Sequence, residues 1–385
     1  MEYHEIIIVG AGASGLMCGY LLGKKKKDVL IIDKNSIPGR KLLATGNGRC
    51  NFTNRQMTPE CYFGEIGFVT EILQRFGTEK ALALFEEIGI YHREREGYCY
   101  PYSGQAASVV ELMMAACREK GVLFSFDTKV AKIVHKTEGY EVIAKNNIRY
   151  QCKKLILATG GKACESLGGD GSGYKLCRSL GHHVTEIYPG LTGLKAAGNE
   201  WKQLAGVRMQ GQITLYSEEK QLRSEGGEIQ LVKDGISGIP VFQLCRLAAE
   251  ELAKGREVNC VLDFFPKLSE KELAQWLSLH GTEKLEGLLN KKWVNVLLKK
   301  GKMKEQLPGY LKHYKIRIMD TFGLERAQVT AGGVVTGEVC PDTMESILRK
   351  DLYLLGELLD ADGICGGYNL HFAWATAYIC SSAIE

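Results

Sequence analysis

The strongest constraint on what this chain can fold into lies near its N-terminus. A short apolar run, Glu5-Ile-Ile-Ile-Val9, leads into Gly10-x-Gly12-x-x-Gly15 and then into an Ala/Ser/Leu/Met-rich stretch reaching about Leu22. The unbroken run of β-branched residues predicts a strand buried on both faces, and the stretch after the glycines predicts a helix. Residues 29–32, Val-Leu-Ile-Ile, predict a second buried strand that ends at Asp33. Each glycine has a physical task. Gly10 permits the tight turn, Gly12 lets the backbone approach a pyrophosphate, and Gly15 lets the helix pack closely on the strand. The first helical turn, with Ala13 and Ser14, offers free N–H groups and a partial positive charge to phosphate. Asp33 stands where an acid hydrogen-bonds ribose hydroxyls, and Lys34 beside it joins the expected cofactor contacts. The lysine run 24–27 reads as a solvated turn.

Two further segments choose between the dinucleotides. Residues 155–161, Leu-Ile-Leu-Ala-Thr-Gly-Gly, predict another buried strand ending in a glycine turn, which brings Ala158, Thr159 and Gly160 to the cofactor. Residues 352–357, Leu-Tyr-Leu-Leu-Gly-Glu, predict a strand running into Gly356 and Glu357. Gly366, Gly367, Tyr368 and Asn369 then open an apolar helical stretch over about 370–383. A second helix N-terminus of this kind suits the reduced ring of a flavin, whose negative charge it stabilises. A nicotinamide enzyme has no need of it, so the expected cofactor is FAD. Only one G-x-G-x-x-G follows a predicted strand, so NAD(P)H, if used, must visit the flavin transiently.

The length of 385 residues allows two or three domains. A formal net charge of +4 is small for this size, so nucleic acid is not the expected partner. The thirteen cysteines contain no C-x-x-C pair, so neither a zinc site nor any other metal is expected. Free thiols in that number fit a reducing compartment, which predicts a cytoplasmic protein. Residues 6–22 lack a positive leader and are broken by glycines, so they do not read as a secretion signal, and no membrane span is expected.

With these residues in view, the chain resembles the bacterial NAD(P)/FAD-dependent oxidoreductase family that includes the BaiN-like and aminoacetone-oxidase-like flavoproteins. The match runs over essentially the whole chain. Its most specific block is residues 39–54, Gly-Arg-Lys-Leu-Leu-Ala-Thr-Gly-Asn-Gly-Arg-Cys-Asn-Phe-Thr-Asn. Thr330–Val334, Thr343–Ser346 and the stretch from Gly356 to Asn369 follow, and their order is more distantly similar to the flavoprotein subunit of fumarate reductase. The resemblance implies an α/β fold: a Rossmann-like FAD domain of the two-dinucleotide-binding-fold type, with an inserted β-barrel and small helical subdomain. It implies that residues 39–54 wrap the pyrophosphate and pass along the isoalloxazine, with Gly39, Arg40, Lys41, Gly46, Asn47, Gly48, Cys50 and Asn51 near the cofactor. It further implies contacts from Val130 and Gly333, from Glu357 to the ribityl chain, and from Gly367, Tyr368 and Asn369 to the flavin O2/N1 edge. The implied division is 1–188 and 328–385 for the FAD domain, and 189–327 for the insertion, its helical part at about 268–315.

Within the insertion, residues 211–216 and 228–232 predict strands separated by a charged turn at 217–227. Residues 240–254 and 269–289 predict helices, Lys291–Lys304 is basic with an apolar set, and Gly235–Pro240 has turn chemistry. A helical cap is favoured over an RNA-binding surface, because Trp293 alone supplies little base stacking. The expected reaction is hydride exchange between flavin and a small organic substrate, with NAD(P)H or oxygen resetting the flavin. Arg49 would orient a carboxylate or carbonyl, and Tyr368 or His371 would donate a proton. For His371 a structural hydrogen bond is an equal reading, and Cys50 reads as a packed loop thiol ahead of a redox group. Three alternatives stay open: an oxygen-using oxidase of an amine or amino ketone, an FAD-dependent tRNA-modifying enzyme, and a non-catalytic flavin redox sensor. Oligomeric state is not legible in the sequence.

Overall fold

The computed structural model describes residues 2–299 and 306–385. The chain divides into two compact units, Met1–Ile187 with Val329–Glu385, and Tyr188–Gln328.

The first unit is built on a sheet whose parallel core runs Leu123–Ser125, Val29–Ile32, Glu2–Val9, Arg149–Leu157 and Leu352–Leu354. Antiparallel strands Tyr140–Ala144 and Val130–His135 extend it beside the start of the Arg149 strand. Ile6, Ile7, Ile8, Ile31, Leu155 and Ile156 have no exposed surface. Side chains are therefore covered on both faces of the sheet, which is why these runs are continuously apolar. Full burial of each such side chain contributes roughly 2 kcal/mol. The helix Ala13–Lys24 packs against the C-terminal helix Tyr368–Ala383 and against Ala106–Glu119.

The register sets the position of the site. Val9 pairs with both Ile32 and Leu157, and Leu157 pairs with Leu354. Four parallel strands therefore end at one level. Gly10, Asp33, Ala158 and Gly356 follow at or just beyond their carboxyl ends, the edge at which open α/β sheets bind ligands.

The second unit is a closed six-stranded antiparallel barrel, in the order Leu194–Ala196, Gly235–Ser237, Lys220–Val232, Arg208–Ser217, Val258–Asp263 and Tyr314–Thr321. Ile213, Leu215, Ile229, Leu231, Cys260 and Ile316 fill its core with Val241 and Leu244 of the helix Ile239–Ala253. Three expectations are corrected here. The charged segment 217–227 is mostly strand: the turn is confined to Glu218 and Glu219, with Glu218 at φ +55°. Its charges fit a strand because they pair across short distances, as Arg223 does with Glu225 at 2.6 Å. The segment Gly235–Pro240 is a barrel strand running into a helix, with Gly238 as N-cap and Pro240 in the first turn. The helix predicted over 269–289 ends at His280, because Gly281 takes φ +74°, and Thr282–Gly287 continues as a 3-10 turn. A further helix spans Lys291–Lys299; the rest of the basic segment, to Lys304, and part of the 268–315 region lie outside the described residues.

Candidate functional site

The glycine turn after the first strand can be tested atom by atom. A Cβ on Gly10 would stand 2.3 Å from the Ala158 carbonyl oxygen, and Gly10 has φ +115°, so only glycine fits. A Cβ on Gly15 would stand 1.9 Å from the Gly10 oxygen, which is the close contact of helix on turn. Gly12 differs: a Cβ there meets nothing within 4 Å. Protein packing does not require glycine at that position, which is the expectation for a place reserved for a ligand. The helix that follows has no side-chain cap, so its first amides are free to bind an anion. Ser14 lies in that first turn, and a Cβ on Gly356 would stand 2.9 Å from its Oγ.

The other cofactor candidates gather around the same edge. Gly39 N donates to Ala11 O at 2.8 Å, which ties the start of the 39–54 segment to the glycine turn. Lys41 Nζ lies 2.6 Å from both carboxylate oxygens of Glu357, and Glu357 Oε1 also accepts from Thr330 N at 2.8 Å. Thr330 Oγ1 in turn accepts from Lys162 N and Ala163 N, holding the turn after Ala158–Gly160. Asp33 Oδ2 accepts from Ala11 N at 2.6 Å, while Oδ1 accepts from both the backbone N and the side-chain Nδ2 of Asn35, at 2.8 and 2.9 Å, so a lone pair on Oδ2 remains for a ribose. Lys34 pairs with Asp170 at 2.6 Å, and Lys129 pairs with the same carboxylate at 2.8 Å. These partners hold Asp170 well below the usual carboxylate range against the opposing effect of its burial. Arg40 reaches Ser166 O and Asn35 Oδ1. Val130 begins its strand two residues after Thr128, whose amide donates to Asp33 O.

At the second helix start, a Cβ on Gly367 would stand 2.7 Å from Thr53 O and 3.0 Å from Asn51 Oδ1. The 39–54 and 366–369 segments are therefore in direct contact. Asn47 and Gly48, in a turn within the 39–54 segment, are exposed, both at positive φ. The helix Tyr368–Ala383 also lacks a side-chain cap. Asn51 Oδ1 and Thr159 Oγ1 are buried with no hydrogen-bond partner among the described residues. Such atoms are costly unless a bound group satisfies them. Free helix N-termini, the space at Gly12 and these unpaired atoms together fit FAD.

Several candidates need correction. His371 has no exposed surface; its Nε2 donates to Phe76 O at 3.0 Å, which leaves Nδ1 to accept from Thr53 Oγ1 at 2.8 Å. Burial pushes its pKa down to about 4. It is a neutral structural histidine with no route to a substrate. Tyr368 is 5% exposed, packed edge-on against Tyr62, and burial pushes its phenol well up. Gly333 spends both backbone polar groups on Thr185, its N donating to Oγ1 and its O accepting from Thr185 N, so its main chain is committed within the protein. Asn369 closes its side chain onto Gly363, accepting from N and donating to O, which leaves only its amide for a cofactor. Cys50 is buried, and burial pushes its thiol up to about 12, as expected of a packed thiol.

Arg49 is exposed, and its guanidinium has no hydrogen bond or ion pair among the described residues. Sequence reasoning missed its neighbour Tyr100, and Tyr98 two residues earlier on the same strand. In the strand Tyr98–Pro101, Cys99 and Pro101 are buried, so the two tyrosines share the opposite face. The only signal was that alternation, which any half-buried strand displays.

The model of the HI0933-like protein Rossmann domain matches residues 4–383. The 3-dehydro-bile acid delta(4,6)-reductase of Clostridium scindens is 39% identical, covering 99% of this chain and 98% of that protein. A ribosomal RNA dihydrouridine synthase of Haemophilus influenzae is 30% identical over 100% of this chain and 99% of its own. Among solved structures, the 3-ketosteroid-delta4-(5alpha)-dehydrogenase of Rhodococcus jostii superposes with a TM-score of 0.57 at 11% identity, covering 100% of this chain and 97% of that one. At that identity the likeness is one of fold.

Proposed function

The chain belongs to the HI0933-like Rossmann family and is an FAD-dependent oxidoreductase, and on that premise we propose that it reduces a carbon–carbon double bond conjugated to a carbonyl in a small apolar molecule, with NADH or NADPH as electron source. The observation that carries this reading is the unpartnered Arg49 guanidinium, on the loop that leads into Asn51 and the second helix start. A free cation there suits a carbonyl oxygen, which gains negative charge as the bond is reduced. The name of the full-length Clostridium scindens relative, a reductase, supports the same direction of reaction.

Bound FAD supplies the hydride chemistry. The residues that would hold it are Gly10 to Gly15 at the pyrophosphate, Asp33 at the ribose, Lys41 and Glu357 along the chain between, and Asn51 with the amides after Gly367 at the ring. Around the reacting carbon the protein's own task is to seat the substrate, hold its oxygen through Arg49 and deliver a proton.

The test is an anaerobic titration with NADH and NADPH, followed by addition of a 3-oxo-Δ4-steroid. The flavin bands are expected to bleach with one nucleotide and to return as the enone is consumed. A flavin that stays oxidised with both nucleotides overturns the reductase reading in favour of an oxidase or dehydrogenase.

A second reading places the conjugated double bond in a uracil of RNA. A specific surface favours it: Tyr91 and Tyr102 are 67% and 66% exposed with ring centroids 6.1 Å apart, beside exposed Arg93 and Arg95. Exposed aromatics among cations stack bases. Purified protein with a nucleic-acid absorbance excess that shifts ribosomal RNA on a gel supports this reading; protein free of RNA that does not shift it removes the reading.

A further inference from the structure

The reduction needs a proton as well as a hydride, and the two residues expected to supply it, Tyr368 and His371, are packed away. The phenol that replaces them stands across the Arg49 loop.

Strand Tyr98–Pro101 is held in register on both sides. Thr53 pairs with Cys99 and Asn54 with Tyr98, while Arg93 pairs with Tyr100 from the hairpin partner. Phe52 N also donates to Cys99 O at 3.0 Å. With Cys99 anchored inward at 0% exposure, Tyr98 and Tyr100 must project together from the other face. The Tyr100 ring lies against the turn that carries Arg49: a Cβ on Gly46 would stand 3.6 Å from it, and Arg49 N donates to Gly46 O at 3.2 Å. The Tyr98 ring lies instead against Gly366, whose added Cβ would stand 3.1 Å from it. Both rings are half-buried, and neither hydroxyl has a hydrogen-bond partner among the described residues.

We propose that Tyr100 is the proton donor of the reduction, its hydroxyl and the Arg49 guanidinium converging on the substrate carbonyl oxygen. The assignment rests on the enone-reductase reading above. As a hydride, which bound reduced FAD would supply, adds to the β-carbon, the C=C electrons move to the carbonyl oxygen. That oxygen takes the Tyr100 proton, and the resulting enol tautomerises to the saturated ketone in water. The Tyr100 phenolate regains its proton from solvent, and the two electrons come from NADH or NADPH. Arg49 acts on both anions, the enolate and the phenolate. Burial raises the Tyr100 phenol while the Arg49 charge opposes that rise, with Arg93 and Arg95 acting in the same sense as Arg49 and Cys365 the other way.

Tyr100→Phe is the decisive variant. Its flavin content and its bleaching by the pyridine nucleotide should match the wild type, which shows that it folds and binds cofactor. Reoxidation of the anaerobically reduced protein by 2-cyclohexenone or a 3-oxo-Δ4-steroid should slow by roughly 100-fold or more. The wild-type rate is expected to fall at alkaline pH as the phenol ionises, and that fall should vanish in the variant. Calorimetric binding of the steroid to the oxidised protein should weaken about tenfold through loss of one hydrogen bond. Tyr98→Phe, the same change beside Gly366, should keep the wild-type rate and affinity. If Tyr100→Phe reoxidises at the wild-type rate with the wild-type pH profile and affinity, Tyr100 is not the donor and the reductase reading stands without it. If the wild type itself is reoxidised by neither enone, the substrate class is wrong and the Tyr100 assignment falls with it.

Discussion

Lys41 and Glu357, 316 residues apart in sequence, form an ion pair in which both carboxylate oxygens lie 2.6 Å from the ammonium nitrogen. Each was expected to meet the cofactor on its own; the structure joins them, and so joins the 39–54 segment to the last strand of the sheet. The pair is partly shielded, with side-chain exposures of 28% and 19%. Lys41→Met leaves the carboxylate with the Thr330 amide, and the expected cost is about 1–2 kcal/mol in urea unfolding. Glu357→Gln in the Lys41→Met background should cost less than it does alone. Strictly additive losses would show that the two side chains do not interact in solution.

Gly12 and Gly15 should separate ligand binding from folding. Gly12→Ala has open space for its methyl group, so its apoprotein is expected to keep the thermal stability of the wild-type apoprotein while most of the FAD affinity is lost. Gly15→Ala forces a contact of 1.9 Å with the Gly10 oxygen and should lower stability by several kcal/mol. Flavin content and melting temperature read the two effects independently. A Gly12→Ala protein that retains FAD at wild-type affinity would remove the pyrophosphate from that turn.

His371 makes stability depend on acid. Its pKa is about 4 in the folded protein against an ordinary 6.5, so between those values the unfolded chain binds more protons. Stability contributed by the neutral ring is complete above about pH 6.5, declines as pH falls, and is gone near pH 4. The size is on the order of 3 kcal/mol. Buried His182, also held below its ordinary value by desolvation, acts in the same direction. Urea midpoints measured from pH 7 to 4.5 should fall less steeply in His371→Asn than in the wild type; parallel curves would place the acid sensitivity elsewhere.

Cys50 should be inert to alkylation. Its thiol is buried and pushed up to about 12, so iodoacetamide at pH 8 should leave it unmodified in the native protein while labelling part-exposed thiols such as Cys61 and Cys164. Peptide mass mapping decides the matter, and rapid labelling of Cys50 would restore it as a redox candidate.

Much of the dinucleotide edge was legible because its physics is local. Glu5–Val9, Val29–Ile32 and Leu155–Leu157 announce buried strands by continuous apolar runs, the first two followed directly by Gly10 and Asp33 and the third by Ala158 and the turn at Gly160. What stayed hidden depended on distant partners. A histidine in the first turn of an apolar helix reads the same whether it faces a ligand or Thr53, and only the fold shows which. The charged strand Lys220–Val232 looks like a loop until the strand beside it supplies its register. Tyr98 and Tyr100 carry no motif, and their interest comes from the Gly46 and Gly366 turns they lie against.

The level at which four parallel strands end has a temporal consequence. Those ends are Val9, Ile32, Leu157 and Leu354, so one rim is drawn from the start, the middle and the far part of the chain. During synthesis the glycine turn and its helix emerge before the rest of the rim, and the strand leading to Glu357 and the helix beginning at Tyr368 arrive more than 300 residues later. Contacts of such long sequence separation form late and slowly. The nascent chain therefore carries a half-built nucleotide rim through most of its translation, and cofactor capture becomes the closing event of folding.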